Sequence, residues 1–356
     1  MTSIRLALFG DATHVNIKRW SQGLQSAGAE IGTFSLRHQG RAKPLEPVFW
    51  LPTIRRLGNL NYFLSVPFAR RLLKRWRPDV VLAYYVTGYG TLGRLSGFHP
   101  LVQVSSGSDL LHAPRKPMLR WLVKRNLKAA DLVVAWAPHM ANAARLLGAE
   151  NVFELAPGIR SQDFRDHHIA DPKPDDVLRL IITRSLKADY RLDLVIEVMR
   201  VLDERQVPAT LTITGNGPER ANLEALVDQY GLQERVRLAG FVPNDQLPAL
   251  LAQHNTYISL VPTDGVSASL LEAMAVGLLP IVPDHPANTN WVTHGENGLL
   301  VQDLSPESIA TVIQTADHTL RHQVWAQNPA MVSERADITR NGKIFVEQFR
   351  QLVERG

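Results

Sequence analysis

Thr263-Asp-Gly-Val-Ser-Ala-Ser-Leu-Leu-Glu272-Ala-Met-Ala-Val-Gly277 stands between two short apolar runs, 256–260 and 279–282. The runs read as strands and 267–276 as the helix that joins them, so the two strands run parallel. Gly265 permits a tight turn after the first strand. Ser267 reads as the helix N-cap. The N–H groups of the first helical turn then have no partner within the helix and suit an anion such as a diphosphate. Asp264 sits just before the helix, and Glu272 lies about two turns into it. A carboxylate accepts from two neighbouring hydroxyls at once, which suits a ribose or a hexose. The plain alternative makes Asp264 a turn residue and Glu272 a solvated helix residue.

The same alternation continues outward. Strands at 178–183, 210–214 and 236–239 are separated by helices at 193–204, 219–230 and 245–253. In the first half, strands at 4–9, 31–35, 79–85, 101–105, 132–136 and 152–155 alternate with helices near 17–27, 64–76, 118–129 and 138–147. Pro44, Pro47 and Pro52 argue for a loop between 36 and 60. The pattern implies an α/β protein of two Rossmann-like, doubly wound domains facing across a cleft. Residues 162–176 break the period with Asp166-His-His168, Pro172 and Pro174. The expected domains are therefore 1–165, a linker at 166–176, and 177–335. An amphipathic helix in 336–356 follows and could return to the first domain.

Of the 356 residues, 45% are hydrophobic and 21% charged, which excludes a largely disordered chain and leaves material for two cores. The chain has no cysteine, so disulfides, thiol nucleophiles and thiolate metal sites are excluded. No apolar run reaches the ~20 residues of a membrane-spanning helix. The first residues read as a core strand, not a signal peptide, so the cytoplasm is the expected compartment. The net charge of +5 hides an asymmetry: residues 1–170 carry +13 and residues 171–356 carry −8. A basic first domain suggests an anionic partner: a phosphorylated substrate, a membrane or nucleic acid.

Asp264-x7-Glu272 followed by Ala-Met-Ala-x-Gly277 resembles the E-x7-E signature of the retaining, nucleotide-sugar-dependent glycosyltransferases of family 4, with Asp as the first acid. Pro280-Ile-Val-Pro-Asp284, Asn290-Trp291 and Gly295-Glu-Asn-Gly298-Leu-Leu-Val301 are similar to the same family. So are Thr214-Gly215-Asn-Gly-Pro218, Leu238-Ala-Gly-Phe-Val242 and Ala156-Pro-Gly-Ile159, and in the first half Pro78-Asp-Val-Val, Gly107-Ser-Asp-Leu-Leu111 and His14-x4-Arg19-Trp20. The resemblance implies the two-domain GT-B fold. It gives Glu272 the ribose hydroxyls of the nucleotide and Asp264 the hydroxyls of the transferred sugar. The backbone of Val266, Ser267, Ala268 and Ser269 takes the distal phosphate, and Arg184 the diphosphate leaving group. Gly10 lets the first loop approach that phosphate. Gly215 joins the donor-binding residues, and Phe241 and Val242 meet the base. Breaking the glycosidic phosphate bond builds negative charge on the diphosphate, which a fixed cation and helix N–H groups stabilise. No metal or cofactor is then required.

Two departures from the family stand out. A Lys-Gly pair usually follows the Arg, but Tyr190-Arg191 stands there, leaving Lys187 or Arg191 as the second cation. The family's histidine is missing from the loop Val104-Ser-Ser-Gly-Ser-Asp109, so Asp109 is either an acceptor contact or a loop carboxylate. Gly88-Tyr-Gly-Thr-Leu-Gly93 is a literal G-x-G-x-x-G and supplies a remote alternative, an NAD-dependent oxidoreductase. Close helix–strand packing explains those glycines as well. Asp166-His-His168 and His285/His294 lack metal-ligand spacing, so no metal is expected. The basic helix face of Arg70, Arg71, Lys74 and Arg75 and the basic stretch 115–128 fit peripheral contact with an anionic membrane. Nothing in the sequence supports a nucleic-acid groove. The expected function is sugar transfer from a nucleotide-sugar donor, a UDP-sugar over GDP-mannose, to a glycan or lipid-linked saccharide in cell-surface polysaccharide synthesis. A catalytically degenerate GT-B protein that binds nucleotide sugars is the alternative.

Overall fold

A computed structural model describes residues 3–36, 47–167 and 177–355. The chain forms two compact units, Met1–Pro157 with Ile338–Gly356, and Gly158–Asp337. Among the described residues, no helix is long and apolar enough to cross a membrane.

The strands of the first unit are β1 (Arg5–Phe9), β2 (Glu30–Leu36), β3 (Val48–Leu51), β4 (Val80–Tyr84), β5 (Leu101–Ser105), β6 (Leu132–Ala135) and β7 (Val152–Glu154). They lie in the order β3-β2-β1-β4-β5-β6-β7, all parallel. β4 and β5 are buried along their whole length; β4 reads as an unbroken apolar run, while β5 buries Gln103, whose side chain donates to Gly90 O at 2.9 Å. β3 falls where the prolines argue for a loop. Pro47 and Pro52 flank this edge strand without interrupting it, and an edge tolerates them. Residues 37–46 of that expected loop lie outside the described residues.

The helices that matter here are α1 (Val15–Ser26), α2 (Asn61–Leu64), α3 (Val66–Trp76), α4 (Gly88–Ser96) and α5 (Pro117–Lys128). The helix expected over 64–76 is α3, with Pro67 in its first turn, and the short α2 precedes it. The G-x-G-x-x-G motif lies wholly inside α4. A side chain at Gly88 would collide with Tyr62, and one at Gly93 would come within 2.9 Å of Ala83. Its glycines therefore serve packing, which removes the sequence basis for the oxidoreductase alternative. The C-terminal helix Ile338–Arg355 packs on α1, with Phe345 edge-on to Trp20 at 5.6 Å between ring centres.

The second unit holds β8 (Leu178–Thr183), β9 (Ala209–Thr214), β10 (Val236–Gly240), β11 (Thr256–Ile258), β12 (Leu279–Pro283) and β13 (Leu299–Val301). The order is β10-β9-β8-β11-β12-β13, again all parallel. α6 (Leu192–Glu204) covers β8 and β9 through Val195, Val198 and Leu202. α7 (Ala268–Val276) is buried from Ser269 to its end, so its sequence is apolar nearly all round. Residues 158–165 belong to this unit, whereas the sequence reading placed them in the first. Ile159 bridges to Asp337, and the Ser161 hydroxyl donates to the Asp337 carboxylate at 2.6 Å. Of the expected linker, residues 168–176 lie outside the described residues. In each sheet the strand order reverses once, between β1 and β4 and between β8 and β11. Ligands of such sheets bind beyond the carboxyl ends of those strands.

Candidate functional site

In the second unit, Arg184 leaves the carboxyl end of β8, and Asp264 to Ser267 lead from β11 into α7. Arg184 Nη2 donates to Asp264 Oδ2 at 2.9 Å and to Ser267 Oγ at 2.6 Å. Its guanidinium carbon stands 5.2 Å from the centre of the Tyr190 ring. Its Nε is buried with no hydrogen-bond partner. Burial opposes the charge, but Tyr257, Asp264 and Tyr190 outweigh it and raise the pKa above the ordinary arginine value. Arg184 is thus a fixed cation with a donor to spare.

The local sequence builds the rest of this corner. Ser267 adopts extended backbone and its Oγ accepts from Leu270 N at 3.2 Å, confirming the N-cap. Ser267 Oγ also lies 3.1 Å from Ser269 Oγ, which meets the Tyr257 hydroxyl at 2.9 Å. The N–H groups of the first turn of α7 have no acceptor in the helix and sit at its positive end. Asp264 Oδ1 accepts from Gly265 N at 2.8 Å, so the carboxylate is held at both oxygens. Glu272 is only 5% exposed, which removes the alternative of a solvated helix residue. His285 borders the same pocket as Asp264 and Asn288. Burial lowers its pKa, against the opposing Val261 carbonyl and Asp264.

Gly215 acts on Arg184 through the backbone. It has φ +110°, and a side chain there would collide with the Arg184 carbonyl; Gly217 stands likewise against Leu186. Gly215 N donates to Gly240 O at 2.7 Å. The loop after β9 thereby presses on the loop that carries Arg184. Phe241, just beyond β10, is 69% exposed, and Val242 is half-buried.

Arg191 and Lys187 are the two candidates for a second cation near Arg184. Arg191 has φ +51°, where the resembled family has glycine, and its Nε lies 3.6 Å from Asp193. Lys187 is exposed. The Tyr190 ring occupies the flank of Arg184 instead. Sequence reasoning marked this position but sought a charge there; the signal it passed over was an aromatic ring within one short loop of an arginine.

In the first unit, Gly10 follows β1, and a side chain there would come within 2.7 Å of Ile17. Its bareness seats α1. Asp11 Oδ1 accepts from Thr13 N at 2.9 Å and from its hydroxyl at 2.7 Å. His14 caps α1 by accepting from Asn16 N, and burial lowers its pKa against the nearby Asp11. Tyr85, after β4, has φ +71°, a strained position of the kind found at functional sites. Asp109 is buried and accepts from Val86 N at 2.8 Å, Ser105 Oγ at 2.9 Å and Gly107 N at 3.1 Å. Burial pushes its pKa up, and these hydrogen bonds oppose the rise. Asp109 lies in the first turn of the short helix Ser108–Leu111, and its carboxylate ties the segments after β4 and β5 together.

Residues 163–323 match the family model described as glycosyl transferases group 1, and residues 5–136 match glycosyl transferase 4-like. The second match falls within the first unit and the first within the second unit. A Salmonella typhimurium protein named as colanic acid biosynthesis glycosyltransferase WcaL is 26% identical over 257 residues, covering 69% of this chain. The matched stretch spans 61% of that relative's own length. Among solved structures, sucrose-phosphate synthase of Thermosynechococcus elongatus superposes with a TM-score of 0.82 at 16% identity, covering 99% of this chain and 100% of that one. HepE of Anabaena, solved in complex with UDP and glucose, gives 0.76 at 17% identity, covering 98% and 100%. At such identities the likeness shows the fold, which is GT-B.

Proposed function

We propose that this chain is a retaining glycosyltransferase that moves a hexose from a UDP-sugar to a glycan or lipid-linked saccharide in cell-surface polysaccharide synthesis. The observation that carries the reading is the corner of the second unit where Arg184, the first turn of α7 and Asp264 converge. Cation and helix N–H groups suit a diphosphate, and the carboxylate suits the hydroxyls of the attached sugar. Donor binding exchanges the Arg184–Asp264 contact for phosphate on one side and hydroxyl on the other. Glu272, two turns along α7, takes the ribose. Charge developing on the departing diphosphate meets donors already in place, and the scheme uses no metal or cofactor. UDP is favoured because the fold neighbour HepE carries it, and polysaccharide synthesis because the relative WcaL is named for it. Retention rests on the E-x7-E resemblance.

A thermal-shift panel of UDP, GDP and their hexose conjugates tests the donor, since a ligand at 100 times its Kd stabilises by about 2.7 kcal/mol. Glu272→Ala is expected to weaken UDP binding by about 1.5–3 kcal/mol. Unchanged binding in a folded variant removes the ribose role. Tyr190-Arg191 in place of Lys-Gly favours one second reading, a donor-binding protein without turnover. UDP release in the presence of saccharide acceptors separates the two.

A further inference from the structure

The first unit exposes an uncommon run of large apolar side chains. Ile54, Leu60, Phe63, Leu64 and Phe68 are each 47% to 58% exposed. All fall in one segment comprising Ile54, the turn Arg55–Leu60, α2 and the start of α3. α5 packs against α4, as α2 does, and its Met118 and Trp121 are 77% and 56% exposed. The segment is held in this pose by its polar inner side. Asn61 accepts from Ile54 N at 2.8 Å and donates to Ile54 O at 3.0 Å and Gly58 O at 2.8 Å. The Ser65 hydroxyl donates to Pro52 O at 2.9 Å. Ala69, Leu73 and Trp76 supply the buried face of α3. Polar residues thus face in and Leu and Phe face water, the reverse of what a solvated surface segment needs.

The charge around this run has one sign. No acidic residue occurs between Glu46 and Asp79 or between Asp109 and Asp131, while the two stretches hold seven and six Lys or Arg. Arg55, Arg56, Arg71, Lys74 and Arg75 are exposed and make no ion pair among the described residues. Arg125 lies over the Trp121 ring at 4.9 Å, a cation joined to an amphipathic ring. Aliphatic Ile54, Leu60, Leu64 and Met118 offer no stacking plane to a nucleobase, which disfavours nucleic acid. Apolar residues that enter an acyl boundary, with cations that meet phosphate headgroups, are how an interfacial helix binds.

We propose that α2, α3 and the flanking start of α5 form a docking surface for an anionic lipid bilayer, with Phe63 and Phe68 inserting. The proposal concerns a surface and stands whether or not the transfer reaction is as proposed above. It is tested on the full chain by co-sedimentation with vesicles of phosphatidylcholine, alone or with added phosphatidylglycerol, at ~50 mM and ~500 mM salt. Binding is expected only with phosphatidylglycerol and only at low salt. Phe63→Ser with Phe68→Ser should weaken it at least about tenfold, as should Arg71→Gln, Lys74→Gln and Arg75→Gln together, with melting temperatures unchanged. Equal pelleting with neutral and anionic vesicles overturns the proposal, as does a Phe63/Phe68 variant that binds like the parent. So does a dimer in light scattering that this variant dissolves while neither form binds vesicles, because the surface then belongs to a second copy of the chain.

Discussion

Arg184→Ala tests whether the cation beyond β8 serves a leaving group or only holds Asp264. The turn before α7 keeps its own hydrogen bonds without it: Ser267 still caps Leu270, and Asp264 still accepts from Gly265. The structural cost is that of losing one partner of an ion pair whose side chains are 14% and 23% exposed. That lies between ~1 kcal/mol for a surface pair and ~3–5 kcal/mol for a buried one, so about 1–3 kcal/mol. The catalytic cost is separate. A preorganised donor aimed at developing charge supplies ~2.7–4 kcal/mol, or about 10²–10³ in kcat.

Tyr190 provides a graded control. Tyr190→Ala keeps the charge but removes the ring 5.2 Å from the guanidinium. Such a contact contributes ~0.5–2 kcal/mol, so turnover should fall about 2–30-fold, and Tyr190→Phe should restore most of it. Arg191 is turned to Asp193 and Lys187 lies in solvent, so alanine at either should change turnover less than about threefold. The assay is UDP release at saturating donor, with thermal melting on the same preparations. A folded Arg184→Ala variant within about threefold of the parent kcat would falsify the leaving-group role and leave a structural pair. A large loss at Lys187 or Arg191 would instead restore a second cation.

Gly215→Ala meets both a positive φ and the Arg184 carbonyl, so about 1–3 kcal/mol of strain should lower the melting temperature and weaken UDP binding together; normal melting and binding would mean that the loop yields. Asp109→Asn turns an amide donor toward Val86 N or toward the Ser105 and Gly107 donors, and calorimetry should show a loss of about 1–3 kcal/mol. His254 uses both ring nitrogens, toward Leu250 O at 2.8 Å and Thr212 Oγ1 at 3.0 Å, and burial, with Arg237 and Arg179, lowers its pKa below 6.5. The unfolded chain therefore takes up this proton first, so its contribution is full above pH 6.5 and is lost as pH falls toward the folded pKa. His254→Gln should flatten the fall in melting temperature between about pH 7 and pH 5, and an unchanged slope would assign that fall elsewhere.

The two sheets were legible because strands such as β4 are buried along their length and carry no polar break. β3 was not, since four residues between prolines look like a loop until β2 is there to pair with them. The unit boundary was misplaced for a similar reason. Pro172 and Pro174 punctuate the chain, but Ile159 and Ser161 are already committed to Asp337, a contact no local pattern announces. At the site, Asp264, Gly265 and Ser267 could be read because a turn and an N-cap are local devices. Arg184 came from resemblance alone. Asp109 and Tyr190 depend on what folding brings beside them: four donors around one carboxylate, and a ring against a guanidinium.

The aspartate at the head of the signature fits this arrangement for a physical reason. Its short side chain closes a hydrogen bond to the next residue's N–H while its other oxygen reaches Arg184. A glutamate, one methylene longer, closes that tight turn less well and holds its carboxylate with more freedom. Asp264 thus keeps the cation aimed and occupied in the free protein. Inorganic phosphate must pull Arg184 away while offering Asp264 nothing in return. A nucleotide sugar offers phosphate to the arginine and hydroxyls to the carboxylate in one molecule, so both groups exchange partners and neither is left buried and unpaired. On the proposed function, the resident ion pair therefore acts as a filter that favours the intact donor over its charged fragments, and the unused Nε of Arg184 adds a hydrogen bond that only an incoming acceptor can complete.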